Sequence, residues 1–227
     1  MPTDRSVRRD RLSVLTTLLS DGLLPSFHDE SPDTAEAIAR SLHVGGARVV
    51  EWLHRSDVAL SIFRELRRAL RDTDIVLGVG SIADAPTAAI YLAEGAEFVV
   101  GPSLSADVAR LCNRRKVAYL PGCFTPTEVS AAEELGCEVV KLFPSSAIDG
   151  KEFLRSLLGP MPWSRVLPTG NGVPFDQAQI TDWIKAGACA VGMGSTLIDP
   201  MLVAARDFKT LRERTRKVLD WIAAARG

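Results

Sequence analysis

The segment Val139-Val140-Lys141-Leu142-Phe143-Pro144 decides how this sequence is interpreted. It is a short apolar run with one lysine near its middle, it follows a helix-like segment that ends at Gly136, and a proline ends it. Such a run between turn signals predicts a buried strand. An unpaired ammonium in a buried strand is costly, so Lys141 should either pair with a carboxylate or lose its proton. A neutral, desolvated lysine is a nucleophile towards ketones.

Strands and helices alternate on both sides of this segment, after a leading helix predicted over residues 4–20 with the apolar face of Leu12, Leu15 and Leu18. Asp57 and Thr125 are predicted helix N-caps, and Glu128 completes a capping box with Thr125. Eight strands are predicted, at residues 23–27, 48–53, 75–78, 98–100, 117–120, 139–143, 165–167 and 190–193.

Eight strand–helix units predict an α/β protein with a closed (β/α)8 TIM barrel and an extra N-terminal helix. An open, doubly wound sheet is the alternative, but no G-x-G-x-x-G fingerprint follows the first strand. We expect one domain over residues 1–227. It would comprise the leading helix (1–21), the barrel strands and helices (22–199) and a C-terminal helix (200–227).

The composition excludes several classes of protein. The chain has 227 residues, 46% of them hydrophobic and 24% charged, which is typical of a globular protein. The 27 basic and 28 acidic residues give a net charge of -1, so no basic excess indicates binding to nucleic acid or a membrane surface. The sequence shows no convincing signal peptide or membrane span, and its four scattered cysteines are interpreted as free thiols in a reducing cytoplasm.

In a barrel, the active site lies where the strands run into loops at their C-terminal ends. Strand parity points Lys141 into the barrel if Val140 and Leu142 face the helices. Glu51 shares parity with Val49 and should also point inward. Glu51 could serve as a general acid/base and Arg55 could bind a carboxylate, although internal pairs of Glu51 with Arg55 or Lys141 remain an alternative.

Two glycine-containing loops resemble anion cradles, since glycines let backbone N–H groups approach an anion. They are Pro168-Thr169-Gly170-Asn171-Gly172 after the seventh strand and Gly192-Met193-Gly194-Ser195 after the eighth. Loops after these two strands commonly hold phosphate in barrels. The three histidines do not have metal-ligand spacing, although His28 and His54 fall near strand ends. We therefore expect neither a metal nor a cofactor.

Taken in order, these motifs resemble the 2-keto-3-deoxy-6-phosphogluconate (KDPG) / 4-hydroxy-2-oxoglutarate (KHG) aldolase family from Leu23 to Leu197. The motifs that carry the resemblance are Gly45-Gly46, Glu51-x-x-x-Arg55, Gly78-Val79-Gly80-Ser81-Ile82, Gly101-Pro102, Pro121-Gly122, Lys141-Leu142-Phe143-Pro144, Pro168-Thr169-Gly170 and Gly192-Met193-Gly194-Ser195.

The resemblance implies a class I (Schiff-base) aldolase that forms a homotrimer and acts on a small keto acid. It implies that Lys141 forms the Schiff base and that Glu51 is the acid/base. The other implied roles are pyruvyl and carboxylate binding by Arg55, Ser81, Pro102, Phe143 and Thr169, and phosphate binding by Gly170, Gly172, Gly194 and Ser195.

The sequence departs from the family at two places in the pocket. Leu53 stands where threonine is usual, and Asn171 interrupts two adjacent glycines, as a replacement or an insertion. The expected reaction is reversible cleavage of KDPG to pyruvate and glyceraldehyde 3-phosphate. The alternatives are the same mechanism on 4-hydroxy-2-oxoglutarate or on the galactonate epimer, a phosphate-sugar isomerase or epimerase without a Schiff base, and a non-catalytic binding protein.

Overall fold

The computed structural model describes residues 9–227, and strands alternate with helices throughout this part of the chain. The strands are β1 (Leu23–Phe27), β2 (Val49–Leu53), β3 (Val76–Gly80), β4 (Phe98–Val100), β5 (Ala118–Leu120), β6 (Gly122–Cys123), β7 (Val140–Leu142), β8 (Val166–Pro168) and β9 (Val191–Met193). The helices are α1 (Arg11–Asp21), α2 (Pro32–Val44), α3 (Ala59–Ala69), α4 (Ala85–Ala93), α5 (Ala106–Arg115), α6 (Pro126–Glu134), α7 (Gly150–Leu158), α8 (Gln177–Lys185), α9 (Pro200–Ala204) and α10 (Phe208–Arg226).

The strands form a closed parallel barrel. Six of them hydrogen-bond in the order β5-β4-β3-β2-β1-β9, and three in the order β6-β7-β8. The two sheets join at both ends. At one end only Pro121 separates β5 from β6, and at the other a parallel bridge pairs Thr169, after β8, with Gly192 of β9. Because β5 and β6 occupy one position, the ring has eight positions and the predicted (β/α)8 barrel is confirmed.

Two apolar layers lie on the two faces of the sheet. The inner layer includes Val49, Val139 and Leu167, and the buried side chains of α1 close the barrel beneath it. Val140 and Leu142 belong to the outer layer, between the sheet and the helices. The alternation predicted for β7 is therefore confirmed: Val139 and Lys141 point inward, and their neighbours point towards the helices.

Most predicted elements agree with the structure to within one or two residues. The capping box of Thr125 and Glu128 is present at the start of α6. Asp57 was predicted wrongly as a helix cap, since α3 follows Val58 and has no side-chain cap hydrogen bond. The predicted helix residues 4–8 lie outside the described part of the chain.

The C-terminal segment 200–227 differs from the single helix that was predicted. It forms two helices, α9 and α10, with Arg206 between them in the left-handed backbone region (φ 52°). Asp207 then caps α10 by accepting from the backbone N–H of Thr210. A left-handed residue cannot continue a right-handed helix, so the chain turns at this point. None of the helices in residues 9–227 is long and apolar enough to cross a membrane.

Candidate active site

A cavity of about 790 Å³ opens at the C-terminal ends of the strands. It lies where β1, β2, β7, β8 and β9 run into their loops, which is the end of the barrel expected to hold the site. Eight of the eleven predicted site residues line it: Glu51, Arg55, Lys141, Phe143, Thr169, Gly170, Gly194 and Ser195. The other three, Ser81, Pro102 and Gly172, do not line it.

Lys141 extends from β7 into this cavity and is only 7% exposed. Its Nζ lies 4.6 Å from the centre of the Phe143 ring. Within residues 9–227, no carboxylate lies close enough to Nζ to form a salt bridge, so of the two alternatives expected for Lys141 the pairing with a carboxylate is not observed. Burial lowers the pKa of Lys141, the negative charge of Glu51 opposes this shift, and the positive charge of Arg55 adds to it. These conditions favour the neutral, nucleophilic amine.

Glu51 extends from β2 and is 1% exposed. Around the ring of eight positions, β2 and β7 are four positions apart, so Glu51 and Lys141 approach the cavity from opposite walls. Its Oε1 is buried and has no hydrogen-bond partner among the described residues. Burial raises the pKa of the Glu51 carboxyl, while the charges of Lys141 and then Arg55 lower it. A buried carboxyl with a raised pKa suits proton transfer.

Arg55 follows the end of β2 and lines the cavity. Its Nε donates a hydrogen bond to Ser81 Oγ at 3.1 Å, and Ser81 adopts a left-handed backbone conformation (φ 63°). Ser81 therefore acts on the cavity only through Arg55. Pro102 is exposed, and the backbone of residue 102 packs closely against Gly122.

The loop after β8 presents Thr169, Gly170 and Asn171 to the cavity. Thr169 Oγ1 is buried without a hydrogen-bond partner among the described residues, and Thr169 O accepts from Ser145 Oγ at 2.7 Å. Gly170 has a φ of 98°, which favours glycine. Gly172 packs instead against Ser145, where a Cβ would lie 2.8 Å from the Ser145 carbonyl carbon, and its carbonyl accepts from Trp183 Nε1 at 2.9 Å.

The loop after β9 is a tight turn. The Gly194 carbonyl accepts hydrogen bonds from the backbone N–H groups of Leu197 at 3.0 Å and Ile198 at 2.9 Å. Gly194, Ser195 and Thr196 line the cavity, and Thr196 Oγ1 is buried without a partner among residues 9–227. Backbone N–H groups at the start of such a turn suit an anion.

Sequence reasoning missed several residues of the cavity wall. Ser26, Asp29 and Thr196 line it, and Ser26 is 7% exposed and pairs in register with Glu51. Leu24 and Ser26 are two residues apart on β1 and therefore point to the same side of the strand. This parity could have identified Ser26 as an inward residue. Thr196 could have been found as the continuation of the Gly194-Ser195 motif.

The histidines occupy different surroundings. His28 lines the cavity, whereas His54 Nδ1 lies 3.0 Å from the hydroxyl oxygen of Tyr91. In the part of the chain that the structure describes, no group of three or more His, Cys, Asp or Glu side chains could hold a metal ion.

Comparison with known proteins decides the family. The family model described as "KDPG and KHG aldolase" matches residues 16–213, which is most of the chain. The chain belongs to this family. A curated member of the family, the 2-dehydro-3-deoxy-phosphogluconate aldolase of Haemophilus influenzae, is 27% identical over 88% of this chain and 92% of its own length.

Solved structures of aldolases share the fold. The 2-keto-3-deoxy-6-phospho-gluconate aldolase of Zymomonas mobilis ATCC 29191 has a TM-score of 0.76 and 27% identity, covering 91% of this chain and 97% of its own. The KDPG aldolase of Legionella pneumophila, solved with pyruvate captured as a covalent carbinolamine intermediate, has a TM-score of 0.82. At 20% identity over 90% of this chain and 97% of its own, that likeness supports the fold alone.

Proposed function

We propose that this chain is a class I aldolase that reversibly cleaves 2-keto-3-deoxy-6-phosphogluconate to pyruvate and glyceraldehyde 3-phosphate. The observation that carries the proposal is Lys141: a buried amine with a lowered pKa, without a salt bridge among the described residues, facing Glu51 across one cavity. Membership of the KDPG and KHG aldolase family supports the same chemistry.

In the proposed reaction, the neutral Nζ of Lys141 attacks the C2 ketone of the substrate. Loss of water gives a protonated imine, which can accept an electron pair. Glu51 removes the proton of the C4 hydroxyl, through an intervening water. The C3–C4 bond breaks, its electrons form the C2–C3 enamine, and the aldehyde leaves. Protonation of C3 and hydrolysis of the imine then release pyruvate and restore the amine.

Removal of the C4 hydroxyl proton and protonation of C3 require a group that can both accept and donate a proton. The raised pKa of Glu51 suits this task, because a carboxyl whose pKa lies nearer to neutral pH is a better acid and base there. Positioned proton transfer typically contributes about 10²–10⁴-fold to the rate.

Binding of the substrate would use the two sides of the cavity. Arg55, held by Ser81, would bind the substrate carboxylate, while Phe143 and Thr169 would contact the pyruvyl group. Contact of Pro102 with the pyruvyl group, which the sequence predicts, remains a proposal. Pro102 does not line the cavity in this structure. The phosphate would bind the backbone of Gly170, Gly194 and Ser195. Gly172 would support that loop from behind, through its packing on Ser145.

A second substrate, 4-hydroxy-2-oxoglutarate, is favoured by one observation. Asn171 lines the cavity in the loop where the phosphate would bind, and a side-chain amide there occupies space that two adjacent glycines would leave open. The chemistry at Lys141 and Glu51 would be the same. We also propose a homotrimer, which rests on the family resemblance.

The experiment is a cleavage assay that follows release of pyruvate from KDPG, from its galactonate epimer and from 4-hydroxy-2-oxoglutarate. We expect turnover with at least one of them and none with Lys141→Ala, while Lys151→Ala, which removes a lysine from α7, should retain activity. Turnover by Lys141→Ala would contradict the Schiff-base mechanism and favour an isomerase or epimerase. Failure to cleave any substrate would favour a binding protein.

A further inference from the structure

Arg214 connects the two loops that border the proposed phosphate site. These are the β8 loop (residues 169–176) and the β9 loop (residues 194–198). Arg214 lies on α10, outside the barrel, and is partly buried. It does not line the cavity, so any effect on the substrate must pass through the loops.

The guanidinium of Arg214 holds the β9 loop by its backbone. Its NH2 group donates to the carbonyl oxygen of Thr196 at 2.7 Å, and its Nε donates to that of Leu197 at 3.1 Å. These charge-assisted bonds turn the two carbonyl groups towards α10. The side chain of Thr196 meanwhile lines the cavity with a buried, unpartnered Oγ1.

The same guanidinium packs on the β8 loop. Its central carbon lies 3.9 Å from the centre of the Phe175 ring, and this ring also packs on Trp221 of α10, with 5.1 Å between the ring centres. A planar guanidinium suits this double task, because its edge donates hydrogen bonds while its face stacks on an aromatic ring.

Arg214 forms no salt bridge within residues 9–227. Its positive charge is therefore not neutralised by a direct carboxylate contact. It contacts the β9 loop on the side of α10, and the nearby negative charge of Asp199 partly offsets its positive charge, so its effect on the site rests on its contacts with the loop.

We infer that Arg214 is the positioning residue of the phosphate site, because it fixes the β8 and β9 loops at the spacing at which both contact one phosphate group. This inference rests on the proposed aldolase function. It adds that recognition of the phosphate is controlled from α10 by a side chain that does not touch the substrate. Lys141 and Glu51 lie on other strands, so loss of Arg214 should leave their chemistry intact.

The test compares Arg214→Met with Arg212→Met, a matched control that removes an exposed arginine from the same helix. Each variant is assayed with KDPG and with 2-keto-3-deoxygluconate, which differ only in the phosphate, and inorganic phosphate is measured as a competitive inhibitor. For Arg214→Met we expect the KM for KDPG and the inhibition constant of phosphate to rise about tenfold, because the loops lose their common spacing. The KM for 2-keto-3-deoxygluconate and the rate of pyruvate adduct formation should stay within about twofold.

Two further variants keep the test decisive if Arg214→Met does not fold. Arg214→Lys retains the charge and loses the planar fork, so it should recover only part of the phosphate affinity. Phe175→Leu removes the stacking contact and keeps both hydrogen bonds, and it should weaken binding of KDPG alone.

A parallel change for the phosphorylated and unphosphorylated substrates, or no change for either, would overturn the role of Arg214. Failure of the proposed function is distinguishable, because the unaltered protein would then not release pyruvate from KDPG.

Discussion

Glu51 occupies the space that a side chain on Gly80 would fill. A Cβ built on Gly80 would lie 2.6 Å from Cδ of Glu51 and closer still to its Oε1. The glycine therefore lets a buried carboxyl on β2 lie across the neighbouring strand β3. This relationship gives Gly80 a defined task, which its place in the motif Gly78-Val79-Gly80-Ser81-Ile82 did not by itself indicate.

Gly80→Ala should move the Glu51 carboxyl from its position without removing it. We expect kcat for cleavage to fall about 10²-fold, because a displacement of the order of 1 Å is enough to impair a positioned group. The control is Gly159→Ala, where the nearest atom would lie at an ordinary 3.5 Å. Steady-state kinetics and adduct formation check this, and an unchanged kcat with an intact fold would show that the position of Glu51 is not critical.

The pKa of Lys141 should respond to its two charged neighbours in opposite directions. The negative charge of Glu51 raises this pKa and the positive charge of Arg55 lowers it. Glu51→Gln should therefore lower the pKa of Lys141 further, and adduct formation with pyruvate should extend to lower pH. Arg55→Met should raise the pKa and move the profile to higher pH. The measurement is the rate of adduct formation against pH, and shifts of equal sign would refute the assignment.

Burial of Lys141 should cost stability at neutral pH. Because its pKa is lowered in the folded state, the unfolded chain binds the proton more tightly, and stability rises with pH between the lowered pKa and the ordinary lysine value. Lys141→Met should therefore raise the free energy of unfolding by on the order of 1–2 kcal/mol near pH 7.

Denaturant unfolding at several pH values measures this difference. The gain should shrink as the pH approaches about 10, where the amine is neutral in both states. Lys151→Met on α7 is the control, because this side chain does not line the cavity. A loss of stability in Lys141→Met at all pH values would contradict the argument.

Much of the site was predictable because strand parity is a strong constraint. The alternation around Lys141 and Glu51 placed both side chains inside the barrel, where the structure has them. Parity alone could not show that the two face each other, since that depends on the order of strands around the ring. The capping box at Thr125 was predictable because it involves only four consecutive residues.

Other features depend on packing between distant parts of the chain. Ser81 was assigned to the pocket from its motif, but its left-handed backbone and its bond to Arg55 place it behind the cavity wall. The turn at Arg206 has no glycine or proline to mark it, so one helix was predicted where two are found. Arg214 carries no motif, because its role depends on contacts with residues from two separate loops.

Borohydride reduction in the presence of pyruvate tests most directly whether the amine of Lys141 forms the Schiff base. The protein is treated with both reagents, digested, and the modified peptide is identified by mass spectrometry. We predict one reduced pyruvate adduct, on Lys141, which is absent in Lys141→Met and when pyruvate is left out. Absence of an adduct, or an adduct on another lysine while Lys141 stays unmodified, would contradict the account.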